Sequence, residues 1–224
     1  MMAWPRKLEP EVMDTAEEAC DYDQMDHTQV NQQFISDLLT FLPIIPALAV
    51  DLGTGTAQIP VALCQRVPEL RVDAVDASLE MLRLAQRNVR RAGCASRIRL
   101  ILADAKELPY PEQSVPLVIS NSLIHHLPEP RVLIGELLRI IAPGGWLFVR
   151  DLARPAGPVE RDRLVDRYAA EANPHQRQLF SESLEAALTL DEIRERVVAS
   201  GLPAESVQMT SDRHWTWSAR IPLA

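Results

Sequence analysis

Leu48-Ala49-Val50-Asp51-Leu52-Gly53-Thr54-Gly55-Thr56-Ala57-Gln58-Ile59-Pro60 is the stretch that decides how this chain folds. A short apolar run ends in Asp51, glycines follow at Gly53 and Gly55, and a helical pattern begins. A strand that turns straight into a helix through small residues leaves the first helical N–H groups without intrahelical partners. The positive end of the helix dipole faces the same space. Glycine carries no Cβ, so the backbone there can take left-handed angles and let a ligand approach closely. The stretch therefore reads as a ligand-binding turn.

Spacing narrows the ligand. The dinucleotide fingerprint G-x-G-x-x-G fails at Gln58, and the phosphate-cradling G-x-x-x-x-G-K-[ST] pattern is absent. The pattern that fits is acid-x-G-x-G-x-small, here Asp51, Gly53, Gly55 and Ala57. Arg71–Asp76 reads as a second strand ending in an acid, with Ser78 as the N-cap of the next helix. Asp76 lies about 20 residues beyond the glycine turn, where βαβ nucleotide folds place an acid against ribose hydroxyls. A carboxylate accepts two hydrogen bonds at once, which suits a vicinal diol. Ile98–Asp104 is a third strand ending in an acid. Leu117–Leu127 is a buried strand running out at Ser120-Asn121 into His125-His126, and Ile140–Asp151 gives a helix end, a Gly-Gly turn and a fifth strand.

In this order the motifs resemble the class I S-adenosylmethionine-dependent methyltransferases, over roughly residues 47–152. The nearest branch is the small-molecule one that includes the ubiquinone and menaquinone C-methyltransferases. Ala57 stands where that family most often has a third glycine. The resemblance implies a doubly wound, Rossmann-like α/β fold: a seven-stranded, mostly parallel sheet closed by a C-terminal antiparallel hairpin. It implies S-adenosyl-L-methionine as cofactor, held by Asp51, Gly53, Thr54, Gly55, Asp76, Ala77, Met81, Asp104, Ala105 and Asn121. Asp104 would sit beside the adenine amino group, with Ala105 next to it. It also implies that an N-terminal segment covers the cofactor, with Tyr22 as the tyrosine that reaches the methionine end. No Asn/Asp-Pro-Pro-Tyr follows the fourth strand, which argues against the amino-methylating enzymes that act on DNA and protein glutamine. The expected acceptor is a small molecule methylated on oxygen or carbon. The rival readings are a catalytically silent binder of the same cofactor and a nicotinamide-dependent reductase. Gln58 and the lack of a Tyr-x-x-x-Lys pair speak against the reductase.

Composition agrees with a single domain over residues 1–224. The chain is 47% hydrophobic and 24% charged, as in ordinary globular proteins, and its net charge of −8 argues against nucleic-acid binding. Arg83, Arg87, Arg90 and Arg91, continued by Arg97 and Arg99, read as a solvated face. There is no apolar run long enough for a membrane span, and the acidic N-terminus does not read as a signal peptide. Cys20, Cys64 and Cys94 form no C-x-x-C pair, which points to reduced thiols in a cytoplasmic protein. His27, His125, His126, His175 and His214 show no metal-ligand spacing such as H-E-x-x-H, so no metal is expected. The sequence is silent on oligomeric state.

Residues 1–46 form an acidic lead-in with a helix over His27–Phe41, carrying Val30, Phe34, Leu38 and Phe41 at helical spacing. Strands and helices then alternate through residue 152, which implies right-handed crossovers in a mostly parallel sheet. Residues 153–188 read as a two-helix insertion around Asn173-Pro174, expected to act as a substrate lid of low local stability. Tyr168, Arg177, Leu179 and Phe180 are its candidate inward residues. Residues 189–224 supply a last helix, opened by Thr189 and Glu192 as a capping box, and the closing hairpin. Trp215, Trp217 and His214 of that hairpin are candidates to line the site, with strand alternation setting His214 opposite Trp215. Trp215 is carried forward with Tyr168, Arg177 and Phe180 as substrate-binding. His125 and His126 are the candidate general bases, because a histidine titrates near neutrality.

Overall fold

A computed structural model describes residues 4–10, 12 and 15–223. Its strands are β1 (Leu48–Leu52), β2 (Arg71–Asp76), β3 (Ile98–Leu102), β4 (Val115–Asn121), β5 (Ile141–Leu152), β6 (Val207–Met209) and β7 (His214–Arg220). They form one seven-stranded sheet in the order β3-β2-β1-β4-β5-β7-β6. β1 is parallel to β2 and β4, β2 is parallel to β3, and β6 and β7 are antiparallel. The helices are α1 (Ala16–Gln24), α2 (Thr28–Phe41), α3 (Gln58–Arg66), α4 (Leu79–Arg91), α5 (Pro130–Ile140), α6 (Pro158–Tyr168), α7 (Pro174–Ala186) and α8 (Leu190–Ala199).

The order of the strands follows from chain geometry. β1-α3-β2-α4-β3 winds outward in parallel crossovers, the connection that is right-handed as a rule, and the chain then returns to place β4 on the other side of β1. The carboxyl ends of β1 and β4 therefore flank a switch point, the crevice where open α/β sheets bind ligands.

The chain divides into two compact units. The larger comprises Val12–Asn121, Gly135–Val149 and Ser218–Ala224; the smaller comprises Met1–Glu11, Ser122–Ile134 and Arg150–Trp217.

The core of the larger unit is built by strands that are apolar on both faces and by helices apolar on one. In α2, Phe34, Ile35 and Leu38 are buried, and Phe34 meets Phe148 edge-on with ring centroids 5.2 Å apart. α4 presents Leu82, Ala85 and Val89 to this core and its arginines outward. Two arginines of the expected solvated face have structural work as well, Arg99 while its side chain stays exposed. Arg97 donates to the carbonyls of Cys64 and Pro68 at 2.6 and 3.1 Å, and Arg99 pairs with Asp73 at 2.5 Å. α1 lies outside the sequence expectation, although Thr15 and Glu18 close a capping box at its start. The expected Gly-Gly turn before the fifth strand is absorbed into the strand, which begins at Ile141. Gly144 takes a φ of 74°, and an added Cβ at Gly145 would come within 2.8 Å of the Ala142 carbonyl, so a side chain fits poorly at either position.

The smaller unit has its own apolar cluster of Leu152, Leu164, Val165, Ala169, Leu184 and Ala187, with Phe180 packed against it. α7 opens with a second unexpected capping box, Asn173 with Gln176. Residues 4–10 run along the end of α7. The Lys7 N–H donates to the Glu185 carbonyl at 3.1 Å, and Arg6 donates to the carbonyls of Ala186, His125 and Leu127 at 2.5, 3.0 and 2.9 Å. Residues 4–10 are thus tied to the insertion. A two-helix insertion with an apolar cluster and an N-terminal strap does not have the marks of a weakly stable lid.

Candidate functional site

The larger unit holds a small, partly open cavity lined by Tyr22, Asn31, Asp51, Gly53, Thr54, Thr56, Gln58, Ile59 and Asn121. It opens at the ends of β1 and β4, in front of the first turn of α3. That turn has no side-chain cap, so its leading N–H groups are available to a ligand.

The glycine turn is shaped by three left-handed positions with one residue between each: Gly53 at φ 67°, Gly55 at φ 54° and Ala57 at φ 59°. Thr54 donates its N–H to the Val75 carbonyl at 2.9 Å, and Gly55 donates to Asp76 Oδ2 at 2.7 Å. Asp76 Oδ1 accepts from the Ser78 N–H at 2.8 Å. Asp76 therefore ties the glycine turn to β2, a role the sequence did not reveal.

Two titrations are displaced here. Burial pushes the Asp51 carboxyl up to about 7, with the charge of Asp76 adding to the effect against a contact from Thr54. Burial also pushes the Tyr22 hydroxyl up to about 12, reinforced by Asp76, Asp51 and Asp23. The Tyr22 ring covers the turn, since a Cβ added at Gly55 would lie 3.5 Å from it. The Thr56 hydroxyl is buried with no hydrogen-bond partner among the described residues, an acceptor and donor aimed at a lined cavity.

Of the residues expected to hold a cofactor, Tyr22, Asp51, Gly53, Thr54 and Asn121 share the cavity wall, and Gly55 and Asp76 shape it. Met81 is buried with Ala19 and Leu84 beneath Tyr22. Ala77 is exposed and Ala105 buried. Asp104 does not line the cavity: its carboxylate accepts from the Lys106 N–H at 2.8 Å and pairs with the Lys106 ammonium at 3.2 Å. Asn31, Thr56, Gln58 and Ile59 escaped the sequence reading. The last three were signalled by adjacency to the glycine turn; Asn31, which donates to Gln58 at 3.2 Å, comes from α2 and carried no signal.

The expected bases and acceptor contacts lie in the smaller unit. His125 and His126 sit on a 3-10 turn, Ile124–His126, that follows β4. Nδ1 of His125 meets Asp151 Oδ1 at 2.5 Å, and its Nε2 meets Glu9 Oε1 at 3.3 Å. Both ring nitrogens of His125 therefore face carboxylates. Burial opposes its charge, but Asp151 and Glu9 prevail and hold its pKa above the ordinary value. His126 Nδ1 lies 3.0 Å from the same Glu9 oxygen.

Tyr168 donates to Asp212 at 2.9 Å with Arg213 stacked on its ring, and Arg177 pairs with Asp166 at 2.5 Å. Both are spent on local contacts. Phe180 belongs to the apolar cluster. Trp215 and Trp217 are wholly buried, and His214 and Thr216 beside them are buried too. β7 is thus covered on both faces, and the simple alternation fails.

Residues 50–149 match a family described as a methyltransferase domain. A demethylmenaquinone methyltransferase from Porphyromonas gingivalis is 28% identical over 50% of this chain and 46% of its own length. A malonyl-[acyl-carrier protein] O-methyltransferase from Marinomonas is 36% identical over 54% of this chain and 44% of its own length. The chain spans about half the length of the curated relatives it matches. Among solved structures, a SAM-dependent methyltransferase from Aquifex aeolicus superposes with a TM-score of 0.67 at 16% identity, covering 92% of this chain and 98% of that one. That likeness is one of fold.

Proposed function

We propose that this chain is a class I S-adenosylmethionine-dependent methyltransferase that transfers a methyl group to a small-molecule acceptor, on oxygen or carbon, a reading supported by the family match over residues 50–149 and by the curated relatives. The observation that carries the reading is the cavity at the β1/β4 switch point, where an uncapped helix start, the buried Asp51, the half-buried Asp76 and an orphaned Thr56 hydroxyl converge. The relatives add support: their named acceptors are a quinone precursor and a carrier-bound malonyl group, both small.

The residues fit the cofactor by chemistry. Asp76 would accept from a ribose diol, and Gly53 and Gly55 allow close backbone approach. Asp51 would face the cationic end, with Asn121 and Tyr22 on the same wall. S-adenosyl-L-methionine supplies an already activated methyl on a sulfonium. The protein's task is then to align the acceptor and exclude water. A base is needed only for an acceptor that carries a proton.

Titration calorimetry tests the reading: S-adenosylmethionine and S-adenosylhomocysteine should bind with dissociation constants in the micromolar range, and NAD(H) should give no heat. Absence of binding by either sulfur compound to folded protein overturns it. An acceptor screen with product detection then separates an enzyme from a silent binder.

A further inference from the structure

We infer that Glu9, His125 and His126 form a divalent transition-metal site, with Asp151 as the carboxylate that orients His125. The ligand atoms of the three residues lie within 4.8 Å of one another, and the two contacts through Glu9 Oε1 measure 3.3 and 3.0 Å. Ligands bound to zinc at about 2.0–2.1 Å in tetrahedral geometry stand about 3.3–3.4 Å apart, close to the two separations through Glu9, and metal binding would set the distance between the two imidazole nitrogens. The set is desolvated: the Glu9, His125 and His126 side chains are 7%, 4% and 15% exposed.

The hydrogen bonding makes the case. His125 Nδ1 faces Asp151 at 2.5 Å, and the His125 N–H of the backbone donates to Asp151 Oδ2 at 3.0 Å, so the ring is fixed on both sides. With Nδ1–H given to Asp151, Nε2 presents its lone pair towards Glu9 Oε1, itself an acceptor. Two buried acceptors at 3.3 Å require a cation between them, either a proton or a metal. A carboxylate holding the far nitrogen of a histidine is the arrangement that supports metal ligation, fixing the tautomer and raising basicity. Glu9 is supported in the same way, since Ser183 donates to its Oε2 at 3.1 Å. His126 brings a second imidazole to the same oxygen: its Nδ1 lies 3.0 Å from Glu9 Oε1 and 3.4 Å from the Pro10 carbonyl, a position from which the ring donates a proton when the site is empty and would turn its lone pair to a bound metal. Arg6, bound to the His125 carbonyl, is a positive neighbour that opposes a cation; Glu9 and Asp151 outnumber it. Two imidazoles and a carboxylate suit zinc, cobalt or nickel rather than magnesium or calcium. Three protein ligands leave a fourth position for water. The site would staple residues 4–10 to the turn after β4, and it stands independently of the cofactor reading.

The test uses untagged full-length protein stripped with chelator and titrated with Zn(II), followed calorimetrically, and with Co(II), followed by visible absorption. One equivalent should bind tightly, and Co(II) should give the intense bands of a four-coordinate site. His126→Ala and Glu9→Gln, each checked for native circular dichroism, should weaken binding at least about tenfold. Asp151→Asn should weaken it about 10–100-fold through loss of orientation. No saturable binding near one equivalent by the folded parent means that a proton alone occupies the gap and overturns the inference. Binding that His126→Ala leaves unchanged overturns it as well.

Discussion

Replacing Asp51 by asparagine should stabilise the protein without cofactor, by an amount that depends on pH. Asp51 ends β1 at 2% exposure, and burial moves its carboxyl from 3.8 to about 7. One pKa unit corresponds to about 1.36 kcal/mol, so holding the ionised form inside the fold costs about 4 kcal/mol above neutrality. The sign follows from the direction. Below about pH 4 the group is protonated in folded and unfolded chains alike and costs nothing. As the pH rises from about 4 to about 7 the unfolded chain ionises while the folded one resists, so stability is lost at about 1.4 kcal/mol per unit; above about 7 the penalty is constant. An asparagine side chain keeps the shape of the aspartate without its charge. Urea denaturation of both proteins between about pH 5 and pH 8 should show a stability difference that grows with pH and levels off near 4 kcal/mol, about the size of the ionisation penalty. Taking the difference removes the other titrating groups. The same carboxyl should ionise when a sulfonium and an ammonium enter the cavity, so cofactor binding at about pH 6.5 should release protons, read as a calorimetric heat that varies with buffer ionisation enthalpy; Asp51→Asn should abolish that release and weaken binding. A pH-independent offset, or a variant less stable than the parent at about pH 8, would refute the reasoning.

Asp76→Ala should weaken S-adenosylmethionine binding about ten- to a hundredfold and also cost about 1–3 kcal/mol of stability, because the Gly55 N–H loses its acceptor; unchanged affinity in calorimetry would pass the ribose role to another group. Ala57→Gly should stabilise by up to about 1 kcal/mol in urea titrations, since relief of about 1–2 kcal/mol of left-handed strain exceeds the extra unfolded-chain freedom. Ala57→Val should destabilise instead. Leu184→Ala, wholly buried in the smaller unit, should cost about 2–5 kcal/mol, and hydrogen exchange in α7 should be slow in the free protein. Fast exchange throughout α6 and α7 would restore the mobile-lid expectation.

The glycine turn was legible in the sequence because its causes are local. Two glycines, a strand-ending acid and a helix start must be near neighbours in the chain, and Asp76 lies one βαβ unit further on, so spacing alone predicts how they meet. The alternation of strands and helices likewise dictates a parallel sheet, and Thr189 with Glu192 announces α8 within one turn. The capping boxes at Thr15 and Asn173 were equally local and were simply passed over. The histidines were also visible as a pair. What the sequence could not supply was their partners: Glu9 lies 116 residues before His125 and Asp151 lies 26 beyond it, and only the folded path of residues 4–10 brings the first to the second. The same holds for Tyr168 and Arg177, whose pairs with Asp212 and Asp166 decide that they are held locally. β7 reads as an alternating strand, yet both its faces are buried. Backbone conformation over a few residues is set by steric and hydrogen-bonding rules that travel with the sequence, whereas which carboxylate meets which imidazole, and which face of a strand meets solvent, depends on surfaces that exist only once distant segments have packed.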